Sequence, residues 1–152
     1  MNYLLLLSLV ACNNAKSDKP AGNDMQSIKD EAAVEFAQKE LPALDAALAS
    51  TDPGSASSIC AVIKPDLKKI RAADAALADA VEKRCGHDLA IRSMTVGVEK
   101  AEAARKAEPT GVIFECSSRK SYEKMIAAAG ADADPAVAPL RERWAAACPT
   151  KP

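Results

Sequence analysis

Residues 66–85 read DLKKIRAADAALADAVEKRC. As one unbroken rod, residues 66–84 would set their ends about 28 Å apart. Cys85 would then lie beyond comfortable reach of Cys60. The composition offers a break. Asp74 is an N-cap residue whose carboxylate accepts a bond from the unpaired backbone N–H groups of a helix start. A turn at Arg71-Ala72-Ala73, with Asp74 capping a second helix through Leu77 and Val81 to Cys85, folds the stretch into a hairpin. The hairpin pairs Cys60 with Cys85. A continuous helix leaves the crossed pairing, Cys60–Cys116 and Cys85–Cys148, as the alternative.

Other helices follow from the same chemistry. Over 27–49, Ala33, Ala37, Leu41, Leu44 and Leu48 fall on one face at three- and four-residue spacing. Pro42 is expected to kink or divide that helix. Asp52-Pro53 is a cap followed by a proline suited to a first helical position. Ile59, Ile63, Leu67 and Ile70 form a stripe interrupted at Pro65. His87-Asp88 is expected to open a helix that buries Ile91, Met94, Val98 and Ala101 and stops before Pro109. Ser117 or Ser118 is expected to cap a helix closed by Gly130. Asp134-Pro135 repeats the cap signature, with Val137, Leu140, Trp144 and Cys148 on one face. The run 111–115 (GVIFE) is the one short strand candidate, and it equally suits a first helical turn.

The expected fold is therefore all-α: a small bundle of five to six helices in antiparallel hairpins over residues 25–150. Aromatic residues are 3% of the chain and alanine is abundant. Alanine buries little area, so such a core needs covalent help. Two helices of roughly 20 Å, at 117–129 and 135–147, bring Cys116 to Cys148 when folded as a hairpin. Cys60, Cys85, Cys116 and Cys148 thus make two disulfides, each closing a loop worth about 3–4 kcal/mol in the chain-entropy model.

The fifth cysteine, Cys12, follows an apolar run too short to span a bilayer. Leu9-Val10-Ala11-Cys12 resembles the lipobox of bacterial lipoproteins. The resemblance covers only the first 12 residues and implies a signal peptide over 1–11, with cleavage between Ala11 and Cys12. It also implies a diacylglycerol thioether on Cys12 and further acylation (such as palmitate) of the new amine. In that family Asn13 in place of Asp favours the outer membrane. The n-region Met1-Asn2-Tyr3 has no Lys or Arg, a departure from the usual signal. Residues 12–24 are the lipidated cysteine and a flexible polar tether that holds the domain off the membrane. An envelope location, periplasmic or surface-facing, is where disulfides persist.

No residue constellation names a reaction. There is no C-x-x-C, no H-E-x-x-H, no glycine-rich phosphate loop and no Gly-x-Ser-x-Gly elbow. His87 is the single histidine, and a capping or exposed role at a helix start is expected of it. Ser117-Ser118-Arg119-Lys120 and Ser121-Tyr122-Glu123-Lys124 match Ser-x-x-Lys by chance in a helix start rich in serine and lysine. Neither a catalytic nor a metal residue is expected, and no cofactor. Charge is nearly balanced, at 20 basic against 21 acidic residues, which speaks against nucleic acid. An acidic first helix (Asp30, Glu31, Glu35, Glu40, Asp45) and a basic segment (Lys64, Lys68, Lys69, Arg71) could pair with each other, meet lipid headgroups or face solvent.

The expectation is a non-enzymatic envelope lipoprotein with a binding or scaffolding domain. It contacts the membrane through its lipid, and its partner is an unidentified protein or envelope polymer. The alternative is a small envelope enzyme or an inhibitor of one. Cys60 followed by Pro65-Asp66-Leu67 resembles small helical lipoproteins of the lysozyme-inhibitor type, and no function is carried over from that. An enzyme calls for Asp74, Asp79 or Glu82 buried beside His87. An inhibitor or binding module calls for an exposed apolar patch around Phe114, Tyr122 or Trp144.

Overall fold

The computed structural model describes residues 21–111 and 113–149. The readings on Ala11 and Cys12, and on the tether up to residue 20, lie outside the described residues. Among the described residues there are helices and no strand. They run α1 (Ala21–Ala49), α2 (Gly54–Ile63), α3 (Leu67–Ala73), α4 (Ala75–Lys83), α5 (Leu89–Ala107), α6 (Arg119–Ala128) and α7 (Val137–Ala147). A 3₁₀ turn, Lys64–Asp66, joins α2 to α3, and a π-helical turn, Arg84–Asp88, joins α4 to α5. Counted as continuous rods, the described helices are five. The 111–115 segment enters a 3₁₀ turn, Phe114–Ser118, rather than a strand.

Local chemistry explains most of the boundaries. Asp74 is extended (φ −145°, ψ 95°) and its Oδ1 accepts the Leu77 N–H at 2.9 Å, which ends α3 and starts α4. Asp52 Oδ1 accepts from Gly54 N at 3.0 Å at the start of α2. Pro65 lacks the N–H that an α-helical ladder needs, and the rod tightens to 3₁₀ geometry there. At the end of α6, Gly130 takes a left-handed φ of 64°. Its N–H bonds to Ala127 O and the Ala131 N–H to Ile126 O, at 3.1 and 3.0 Å. That is a Schellman ending, closed by the buried apolar pair Ile126 and Ala131.

Four expectations need correcting. Pro42 does not divide the first helix, because α1 runs through it. The same helix begins at Ala21, inside the stretch assigned to the tether. His87-Asp88 opens no helix; both residues sit in the π turn of a rod that is already running. Neither Ser117 nor Ser118 caps α6, since Ser117 Oγ donates to Phe114 O at 2.8 Å inside the 3₁₀ turn and Ser118 makes no capping bond.

The π turn has a physical reason. Leu77, Val81, Cys85 and Leu89 are all buried at four-residue spacing. In a 3.6-residue helix each such step rotates the side chain by about 40° around the axis. The wider π turn takes up part of that drift between Cys85 and Leu89, so Leu89 stays on the buried face.

Two buried clusters result. The first gathers Ala33, Ala37 and Leu44 of α1 with Ile63, Ile70, Leu77, Val81, Cys60, Cys85 and Leu89. The second gathers Met94 and Val98 of α5 with Ile126, Val137, Leu140 and Trp144. Helices α6 and α7 both pack on α5. Each cluster carries one disulfide: Cys60–Cys85 with Cα atoms 5.4 Å apart, and Cys116–Cys148 with Cα atoms 5.6 Å apart. The crossed pairing is absent.

Candidate functional site

One concavity lies along the seam between the two clusters. It is an open groove of about 570 Å³, lined by Asp45 and Leu48 of α1, Lys83, the π-turn pair His87 and Asp88, Ile91 and Arg92 of α5, and Asp134. The π turn places His87 there, 32% exposed by side chain, between two carboxylates. Nδ1 lies 3.1 Å from Asp88 Oδ1 and Nε2 lies 3.1 Å from Asp134 Oδ2. A neutral imidazole has one N–H, so both contacts are hydrogen bonds at once only when the ring is doubly protonated. Both ring nitrogens thus face carboxylates of the protein itself.

The remaining charges in the groove are also committed. Lys83 Nζ donates to both Asp88 oxygens, at 2.6 and 2.8 Å. Arg84, from the π turn, holds Asp45 at 2.5 Å. Arg92 donates to the Ser50 carbonyl through Nε at 3.0 Å and through Nη2. Asp134 Oδ1 accepts the Ala136 N–H at 2.8 Å, so this residue both shapes the turn before α7 and meets His87. Burial pushes the Asp88 carboxyl up, but the bonds from Lys83 and His87 together outweigh it and hold the group below its ordinary range. The groove is thus an internally satisfied ion network that ties the two halves of the domain together.

The carboxylates nominated as catalytic neighbours of His87 lie elsewhere. Asp74 caps α4, while Asp79 and Glu82 are exposed and pair with Arg71 at 2.7 and 2.6 Å. In the basic segment Arg71 and Lys69 are paired with acids near them in sequence. Lys69 bonds Asp66 at 2.5 Å, and Asp30 on the acidic first helix also raises its pKa. Asp134 was legible as a cap and not as a partner of His87, because nothing local links two positions so far apart in the chain.

A second concavity, of about 250 Å³, lies on the C-terminal half, between Gly97, Lys100, Phe114, Glu115, Ser118, Tyr122 and Trp144. The three aromatics take different parts. Phe114 is 81% exposed, Tyr122 is half-buried, and Trp144 is fully buried with its Nε1 lacking a partner. Tyr122 and Trp144 pack with ring centroids 5.4 Å apart, tilted by 51°. Phe114 alone is an exposed apolar side chain there.

Among the described residues no group of three or more His, Cys, Asp or Glu is placed to hold a metal ion. Among them no helix is long and apolar enough to cross a membrane. Comparison with protein-family models, curated proteins and solved structures returns no match.

Proposed function

We propose that this chain is a lipid-anchored protein of the bacterial cell envelope, whose helical domain is a non-enzymatic binding or scaffolding module for a protein or an envelope polymer. The reading places a diacylglycerol thioether on Cys12, after cleavage behind Ala11, and favours the outer membrane. One observation carries it. Cys60, Cys85, Cys116 and Cys148 are all committed to disulfides, which leaves Cys12 as the single cysteine over, directly after Leu9-Val10-Ala11. Such bonds persist in an oxidising compartment. The ring nitrogens of His87, which face the protein's own carboxylates, and the paired charges of its groove support a binding role over a catalytic one.

The test is the intact mass of protein extracted from membranes without reductant, after free thiols are blocked. Loss of residues 1–11, added acyl mass and no blocked thiol is the expected result. A soluble species that keeps residues 1–11, or that carries a blocked Cys12, overturns the anchor. The inhibitor reading draws on Phe114, which is exposed beside a cleft. Inhibition of a muramidase that disappears in Phe114→Ala favours it, and no inhibition by the parent protein removes it.

A further inference from the structure

The two disulfides are the same bond in different surroundings. Cys60 and Cys85 are 2% and 3% exposed, inside the first cluster. Cys116 and Cys148 are both only half-buried, and Cys148 lies at the margin of the second cluster. Thiol–disulfide exchange begins when a thiolate reaches a sulfur, so access decides which bond reacts on the folded protein. A buried bond must wait for the structure to open.

We propose that Cys116–Cys148 is a redox site: a dithiol reductant opens it on the folded domain while Cys60–Cys85 stays closed, and opening it loosens the 3₁₀ turn that carries Phe114. In the reaction one thiolate of the dithiol attacks a sulfur of the pair and forms a mixed disulfide. The second thiol of the reductant then closes its own disulfide. Cys116 and Cys148 leave as thiols, with two electrons and two protons supplied by the reductant.

The rest of the fold predicts a local consequence. Helix α7 is held by its buried residues Val137, Leu140, Trp144 and Ala147 as well as by the bond. Arg105 holds the end of α7 independently, donating to Ala147 O at 2.8 Å and to Gly111 O at 3.0 Å. Ile113 remains anchored by burial. Phe114–Ser118, in contrast, buries no residue of its own, and its one covalent tie to α7 is this disulfide. The site needs no lipid anchor and stands apart from the partner proposed above.

The experiment treats the purified full chain with dithiothreitol under native conditions, quenches with iodoacetamide at intervals and reads each cysteine by peptide mass. Labelling of Cys116 and Cys148 is expected at least about tenfold faster than labelling of Cys60 and Cys85. Helical circular dichroism should stay unchanged, and amide exchange should rise over 114–118. Equal labelling rates overturn the proposal, as does loss of helix in step with labelling. The Cys116→Ser/Cys148→Ser protein is expected to stay folded and to show the same rise in exchange; a global rise overturns the locality.

Discussion

The N-terminal half, α1 to α4, and the C-terminal half, α5 to α7, start from the same shortage of large apolar side chains and meet it differently. The first packs alanine, leucine and isoleucine around a disulfide sealed within the cluster. The second builds on one large side chain, the fully buried Trp144, and leaves its disulfide at the margin. In the first half the covalent bond is also core volume. In the second, the tryptophan supplies the volume and the bond only restrains the chain.

Removing the bonds tests this most strongly. The sequence separations are 25 and 32 residues, so loop entropy alone gives each about 3–4 kcal/mol and slightly favours the longer. Burial should reverse that order. Cys60→Ala/Cys85→Ala adds a cavity in the first cluster and should cost about 5 kcal/mol, against about 3–4 kcal/mol for Cys116→Ala/Cys148→Ala. Urea denaturation of the two variants checks it. A larger loss from the second pair means that loop length, not burial, separates the halves.

Two glycines sharpen the comparison at the level of packing. A Cβ on Gly97 would stand 2.6 Å from Tyr122 Cε2 and 2.9 Å from Trp144 Cζ3. Gly97→Ala should therefore cost roughly 1–3 kcal/mol through overpacking around the tryptophan. A Cβ on Gly86, in the π turn, meets nothing within 4 Å. Gly86→Ala should be neutral or gain about 0.4–1 kcal/mol by restricting the unfolded chain. Thermal melts of both proteins decide. A gain from Gly97→Ala would mean that the aromatic pair is loosely seated.

What could be read from the sequence divides by distance along the chain. Asp74, Asp52, Gly130 and Asp134 act on backbone groups within a few residues, so their chemistry announces itself locally. Asp74 is the most consequential, because its turn is what lets Cys85 return to Cys60. Asp74→Ala removes the cap bond to Leu77 and should cost about 1 kcal/mol without unpairing the disulfide. A loss of disulfide formation on refolding of that variant would show that the cap directs the pairing as well as stabilising it. The π turn was not legible. Its four-residue burial pattern makes sense only once Cys85 and Leu89 are known to share the buried face, and local helix signals read His87-Asp88 as a start. Nor was the bracketing of His87 by Asp88 and Asp134, because a contact between the π turn and the approach to α7 depends on how both halves dock on α5.

Acid titration reaches the smallest effects and compares the seam with the C-terminal half. Asp88 and Glu102 both have folded pKa values below their ordinary ones. For each, the unfolded chain takes up a proton first as pH falls. Their contribution to stability is therefore full above the ordinary carboxylate range, near about pH 4, and is lost as pH drops through the folded values. The causes differ. Glu102 is held down chiefly by its bond to Arg143, at 2.8 Å. For Asp88 burial is the largest single influence and acts the other way, so the net direction depends on Lys83 and His87 acting together. Lys83→Gln should thus flatten the acid limb of stability against pH, while leaving the part that Glu102→Gln removes. Urea midpoints measured between about pH 7 and pH 2 report both. Identical acid limbs in Lys83→Gln and the parent protein would mean that the seam is held by His87 and not by Lys83, and that the groove's network centres on the imidazole.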